Sequence, residues 1–204
     1  MVWDNKYKFY YWGPLLFHVK TDLKFCDEMN VRGRKLNNDY AHKLVGNIDK
    51  ESQFLIDDFN YFLKNTESIF DAYKNCYKQF IGETQFNKFM KNKKFILEDL
   101  WFNVMKKGDT NPMHVHDGDL SFVLITQFPN EIVQENKNFK GRGYGPGGIR
   151  FVFGQNQSHF SSEQYFIPEK GDFFIFPSKL YHFVDSFKSD VERITIAGNL
   201  RIYL

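Results

Sequence analysis

The chain predicts an α+β fold, with helices through the first half and a β-barrel or sandwich from about residue 95 onward. Two observations carry this. From about 51 to about 80, with a possible break, Phe54, Ile56, Phe59, Phe62 and Leu63, then Ile69, Phe70 and Tyr73, keep returning to one face at helical spacing. Beyond residue 95 the pattern changes to short apolar, β-prone stretches at 95–105, 120–128, 149–153, 173–176 and 193–197, separated by Gly, Pro, Asn and Asp turns. The 204 residues suit one large domain, 1–204, with a helical part to about 94 and a β core from about 95.

Taken in order, residues 7–19 are apolar and divided by Gly13-Pro14, so an opening strand is expected near 15–19. Thr21 or Asp22 can cap a helix in which Leu23, Cys26 and Met29 share a face and which fades near Gly33. Residues 37–47 read as a loop with a short apolar patch. Ser52 or Asp49 is the expected cap of the long helix, and a short helix or turn follows at 84–91. The glycine-rich stretch 141–148 carries too little side chain to pack a core and is expected to be a mobile lid over the barrel mouth.

Charge gives little. Lys plus Arg (27) nearly balance Asp plus Glu (25), for a net charge of +2, which argues for neither a nucleic-acid nor an anionic-membrane partner and weighs only mildly against long nucleic acid. Cys26 and Cys76 are far apart and outside any metal-binding spacing, which points to a reducing setting. With no secretory signal pattern and no apolar run of membrane-spanning length, a soluble cytoplasmic protein is expected.

The chemistry lies in Gly108-x5-His114-x-His116 and Gly171-x5-Pro177-x4-His182. On a strand, His114 and His116 would face the same way and reach one metal ion. His182 would complete one face of an octahedron, leaving the opposite positions open. Asp119 is the reserve carboxylate if only one of the first two histidines is a ligand. Asp117 has the wrong parity, and Asp117-Gly118-Asp119 by itself reads as a turn. His18, His42 and His159 lack comparable surroundings. Further on, Arg193 and Thr195 share a strand face.

This ordering resembles the double-stranded β-helix superfamily, which contains cupins and the 2-oxoglutarate- and Fe(II)-dependent oxygenases. The segments 101–125, 171–184 and 192–200 are similar to oxygenases of this kind from bacteria and marine phages. The resemblance implies a jelly-roll barrel with supporting N-terminal helices, Fe(II) as metal and 2-oxoglutarate as co-substrate. It also implies hydroxylation of a substrate C–H, with succinate and CO2 as co-products. Arg193, some ten positions after the distal histidine, and Thr195 would bind the far carboxylate of 2-oxoglutarate, a task that suits the guanidinium fork. Asn103, on the preceding strand, is a candidate hydrogen-bond partner of the co-substrate and equally readable as an edge-strand polar residue. Trp101 and Phe122 read as core, and Asn199 has no assigned role.

The family's usual ligand set is His-x-Asp/Glu with a distal His, whereas position 116 is His. His114, His116 and His182 therefore form a three-histidine site, or Asp119 or Asp117 replaces one of them, or one histidine touches only the co-substrate. Two other functions compete: a cupin-like metal enzyme that does not use 2-oxoglutarate, and a metal-free β-sandwich binding module. Arg193 separates the first from the oxygenase, because a cupin has no need of a guanidinium there. By analogy with prolyl-hydroxylase-like relatives, the expected substrate is a protein or peptide side chain.

Overall fold

The computed structural model describes residues 13–203; the apolar stretch 7–12 lies outside the described residues. A six-stranded antiparallel sheet and a four-stranded antiparallel sheet face each other. The strands are β1 (Phe17–Lys20), β2 (Lys50–Gln53), β3 (Lys94–Met105), β4 (Asn111–His114), β5 (Leu120–Gln127), β6 (Ile149–Val152), β7 (Glu163–Phe166), β8 (Asp172–Pro177), β9 (Tyr181–Val184) and β10 (Arg193–Tyr203). The larger sheet has the order β1-β8-β5-β10-β3-β2 and the smaller β4-β9-β6-β7. After β3, the chain crosses repeatedly from one sheet to the other, so residues on strands distant in sequence converge on the space between the sheets.

The outer face of the larger sheet is covered by α1 (Leu23–Arg34) and α2 (Ile56–Ile81), with α3 (Glu83–Phe89) following α2. Phe25, Met29, Phe62, Phe70 and Tyr73 of the helices pack there against Phe102, Phe122 and Phe173. A second apolar cluster fills the inner side, where Met105, Val123, Ile125, Phe174 and Phe176 meet Ile149, Phe151 and Val184 of the smaller sheet. The central strands are thus buried on both faces. This is why β5, LSFVLITQ, reads as a continuous apolar run rather than an alternating one.

Several local expectations hold. The Asp22 carboxylate accepts the Phe25 N–H at 2.9 Å and caps α1. Gly82, at φ 81°, ends α2 and separates it from α3. Others are corrected. Residues 50–53 are not the start of the long helix but an edge strand on β3, with Glu51 and Ser52 buried. Neither Ser52 nor Asp49 caps α2; the Asp58 carboxylate does so by accepting the Leu55 N–H. Lys-Glu-Ser-Gln has no apolar alternation, so only pairing with β3 reveals it as a strand. The helix α4 (Asn130–Lys137), β4, β7 and β9 are further elements that the apolar pattern did not show.

The glycine-rich stretch is also corrected. Gly145, Gly147 and Gly148 are buried, the Asn136 side chain donates to the Pro146 carbonyl, and the Tyr165 hydroxyl donates to the Gly145 carbonyl. With Tyr144 stacked on Tyr165 at 4.3 Å, the second half of the loop is packed by its surroundings, not held open as a lid.

One packing contact fixes how closely α1 approaches the sheet. A Cβ added at Gly33 would lie 2.2 Å from the fully buried Phe102 ring. Gly33→Ala is expected to destabilise the protein by about 1–3 kcal/mol, because overpacking outweighs the gain of about 1 kcal/mol in helix propensity. A melt lowered by several degrees checks this; an unchanged or raised midpoint would show that the helix can shift at no cost.

No helix among the described residues is long and apolar enough to cross a membrane. Cys26 and Cys76 are both free thiols.

Candidate metal centre and co-substrate cavity

A cavity between the two sheets collects the residues that carry chemistry. From the smaller sheet, β4 supplies His114 and β9 supplies His182, which stand opposite each other in register. His116 comes from just beyond the end of β4, not from the strand itself, so strand parity is not what aims it. Its position is set by the following turn. The His116 N–H bonds the Ser178 carbonyl (2.9 Å), and the Asp119 N–H bonds the Leu200 carbonyl (2.9 Å). Gly118 between them has φ 97°, where a side chain would be strained. Below the turn a hydrogen-bond chain links buried Ser178, Ser121 and Asn199 to half-buried Asp99 and Tyr40. Asn199, which sequence left without a role, thus helps anchor the segment that delivers His116.

The three imidazoles converge. Nε2 of His116 lies 3.2 Å from Nε2 of His114 and 3.2 Å from Nε2 of His182, and one ligand atom from each ring falls within 4.8 Å of the others. His114 Nδ1 faces the Pro112 carbonyl at 2.7 Å, and His182 Nδ1 faces the Leu180 carbonyl at 2.9 Å. A carbonyl can only accept, so both Nδ1 atoms carry the proton and both neutral rings turn an Nε2 lone pair inward. Burial holds all three rings in the neutral form: His114 lies below the ordinary histidine range, His116 is pushed down to about 4, and His182 lies well below it. Like-charge repulsion between the rings adds to burial at His116 and His182. At most one N–H is left to serve three converging nitrogens, an arrangement that suits a shared cation.

The reserve carboxylate is placed elsewhere. Asp119 Oδ2 accepts the Ile202 N–H at 2.8 Å and is not in the ligand cluster, while Asp117 is exposed beside Lys179. His18 pairs with Asp172 at 2.8 Å. Trp101 is buried, as expected of core, and also lines the cavity with its ring 5.5 Å from His116.

Across the cavity stands Arg193. It is 2% exposed, yet Nε and Nη2 have no hydrogen-bond partner and Nη1 meets only the Met105 sulfur at 3.7 Å. Burial pushes its pKa down to about 10, so it remains a cation at neutral pH. On the same face of β10, the Thr195 hydroxyl accepts from Asn103 Nδ2 at 3.4 Å; Asn103 Oδ1 is unpartnered. The Phe128 ring lies 5.9 Å from the guanidinium carbon, and a buried guanidinium without an anionic partner costs several kcal/mol, which a bound carboxylate would offset.

Residues 99–199 match the family described as "Putative 2OG-Fe(II) oxygenase". The chain belongs to this family. It is a 2-oxoglutarate-dependent dioxygenase, with Fe(II) as metal and 2-oxoglutarate as co-substrate. The chemistry of the cavity fits both: neutral imidazole nitrogens for the metal, and orphaned guanidinium donors for a carboxylate. Solved structures show the same fold. An oxidoreductase of the 2OG-Fe(II) oxygenase family from Burkholderia pseudomallei is 13% identical, with 91% of this chain and 84% of that one covered at a TM-score of 0.50. A prolyl-4-hydroxylase from Pseudomonas putida is 16% identical, with 91% of each chain covered at a TM-score of 0.52. A comparison with curated protein sequences gave no match.

The oxygenase cavity has one wall that the sequence did not disclose. Leu44, Val45 and Ile48, from the segment before β2, line it together with Glu51 of β2 and Asn111 of β4. The segment is pinned next to β4 by paired backbone bonds between Asn47 and Thr110, the residue that precedes the strand. Glu51 is 5% exposed, and its Oε2 has no partner. Burial first, and the Asp39 and Asp109 carboxylates second, push its carboxyl up to about 7.

Proposed function

We propose that this oxygenase hydroxylates a C–H bond of a protein or peptide side chain, converting 2-oxoglutarate to succinate and CO2. His114, His116 and His182 are the iron ligands, and Arg193 and Thr195 hold the far carboxylate of the co-substrate. The observation that carries this reading is the buried, unpaired Arg193 guanidinium in the same cavity as three converging imidazole nitrogens. The crossing of successive strands between two sheets after β3 supports a double-stranded β-helix, and we read residues 1–204 as one domain whose helical part buttresses that jelly roll. The peptide substrate follows the likeness to the prolyl-4-hydroxylase fold.

When bound, Fe(II) and 2-oxoglutarate would together activate O2, the oxidant, so that one oxygen atom would enter the substrate C–H bond and the other would end in succinate as CO2 leaves. The protein's residues position and protect. The Nδ1–H bonds to the Pro112 and Leu180 carbonyls hold two rings with Nε2 inward before any metal arrives. Arg193 offers its free N–H groups to a carboxylate. Because Asn103 donates to the Thr195 oxygen, the hydroxyl proton of Thr195 is free to be donated to the same carboxylate. Met105, Val123, Phe176 and Val184 line the cavity and limit water. A cupin-like enzyme without 2-oxoglutarate would leave Arg193 buried without a partner.

The test is spectroscopic. Without oxygen, the protein with Fe(II) and 2-oxoglutarate is expected to show the weak visible charge-transfer band of a chelated complex. A wild-type sample with both components and no band would sink the proposal.

A further inference from the structure

Glu51 stands in a row with Asn103 and Thr195 across three neighbouring strands: it pairs with Asn103, which pairs with Thr195. Paired residues of an antiparallel sheet face the same side, so Glu51 looks into the cavity from the sheet edge, with Thr195 two strand spacings away. Its neighbour Val45 is 55% exposed, which places this wall at the cavity mouth. Glu51 is therefore at the end where a second substrate enters, while Arg193 and Thr195 lie on the inner strand β10.

The unpartnered atoms sort by chemistry. On the mouth side, Glu51 Oε2 and Asn111 Oδ1 are both acceptors without donors, and no Lys, Arg or His of the described residues forms an ion pair with Glu51. A buried carboxyl is an unfavourable neighbour for a dicarboxylate co-substrate, so it does not belong to that ligand. It is complementary to a cation. Nothing else on this wall competes for that role, since Leu44, Val45 and Ile48 are apolar and would sheathe an alkyl chain.

We propose that Glu51, assisted by Asn111, is the specificity site for the primary substrate, and that this substrate presents a basic side chain, an ammonium or guanidinium on an alkyl stem. The inference rests on the iron and 2-oxoglutarate reading of the same cavity. A cationic nitrogen held at the mouth by Glu51 would run its alkyl stem along Leu44 and Ile48. Burial is the main reason the Glu51 carboxyl is held up, and the Asp39 and Asp109 carboxylates that add to it contribute negative potential that favours the same ligand.

The probes are the Nα-acetyl methylamides of L-lysine, L-arginine, L-norleucine, L-proline and L-glutamate. They are titrated into protein held anaerobically with Fe(II) and 2-oxoglutarate, and binding is read from the change in the charge-transfer band and from the thermal midpoint. The lysine or arginine probe is expected to bind about ten-fold or more tightly than norleucine, the neutral isostere of lysine. That ratio is expected to fall to near one in Glu51→Gln and to survive in Glu51→Asp, with the band in each variant reporting an intact metal and co-substrate site. Equal or better binding of norleucine, proline or glutamate overturns the proposal. So does an unchanged ratio in Glu51→Gln, or a band that forms and responds to no probe. A wild-type band that never forms overturns the underlying reading and this one with it.

Discussion

Arg193→Met is expected to make the metal-free protein more stable while removing its hold on 2-oxoglutarate. The two effects have one cause. Arg193 is buried, still charged at neutral pH, and short of partners at Nε and Nη2. Replacing a buried ionic group with an apolar one of similar volume commonly gains about 1–4 kcal/mol, and here no ion pair is lost in exchange. For a chain of this size that corresponds to a rise of roughly 2–16 °C in the thermal midpoint. With co-substrate present the balance reverses. Truncating one member of a desolvated charge pair costs about 2–5 kcal/mol, so 2-oxoglutarate affinity should fall roughly 30- to 5,000-fold. Arg193→Lys keeps the charge and loses the fork, and it should fall between the two. Melting curves with and without 2-oxoglutarate, and titration of the charge-transfer band, measure both effects. A variant that melts lower in the metal-free state and still binds 2-oxoglutarate would show that the guanidinium is structural.

His182→Ala should abolish metal-dependent stabilisation. A metal present at about 100 times its Kd stabilises the folded state by about 2.7 kcal/mol, or roughly 5–10 °C for this chain length. Removing one of three ligands should lower affinity about 100-fold or more, so the shift disappears at the same metal concentration. The substitution also leaves a cavity against Phe176, whose ring lies 4.7 Å from the imidazole, at a further cost of about 1–3 kcal/mol. Comparing each variant with and without Mn(II) separates the two losses. Asp119→Asn serves as the counter-test. Its carboxylate is occupied by the Ile202 N–H, so the metal shift should persist; losing it there while keeping it in His182→Ala would restore Asp119 as the ligand.

The sequence by itself determined the chemical inventory. Paired spacing marked His114, His116 and His182, and the family resemblance, carried by Arg193 eleven positions after the last of them, implied a carboxylate partner. Helical and β periodicity located α1, α2, α3, β3, β5, β8 and β10, because strands buried on both faces and a helix with one apolar stripe both leave strong composition signals. Polar edge elements left none. Lys50–Gln53 owes its strand state to hydrogen bonds with β3, and the three short strands β4, β7 and β9 likewise depend on partners distant in the chain. Only the tertiary structure decided how His116 reaches the cluster, since a glycine turn tied to Ser178 and Leu200 aims it once β4 has ended. Tertiary structure also moved Glu51 from an expected helix to the cavity wall and engaged Asp119 elsewhere. Periodicity reports which face of an element is buried, but which polar groups are left without partners depends on what the rest of the chain brings beside them.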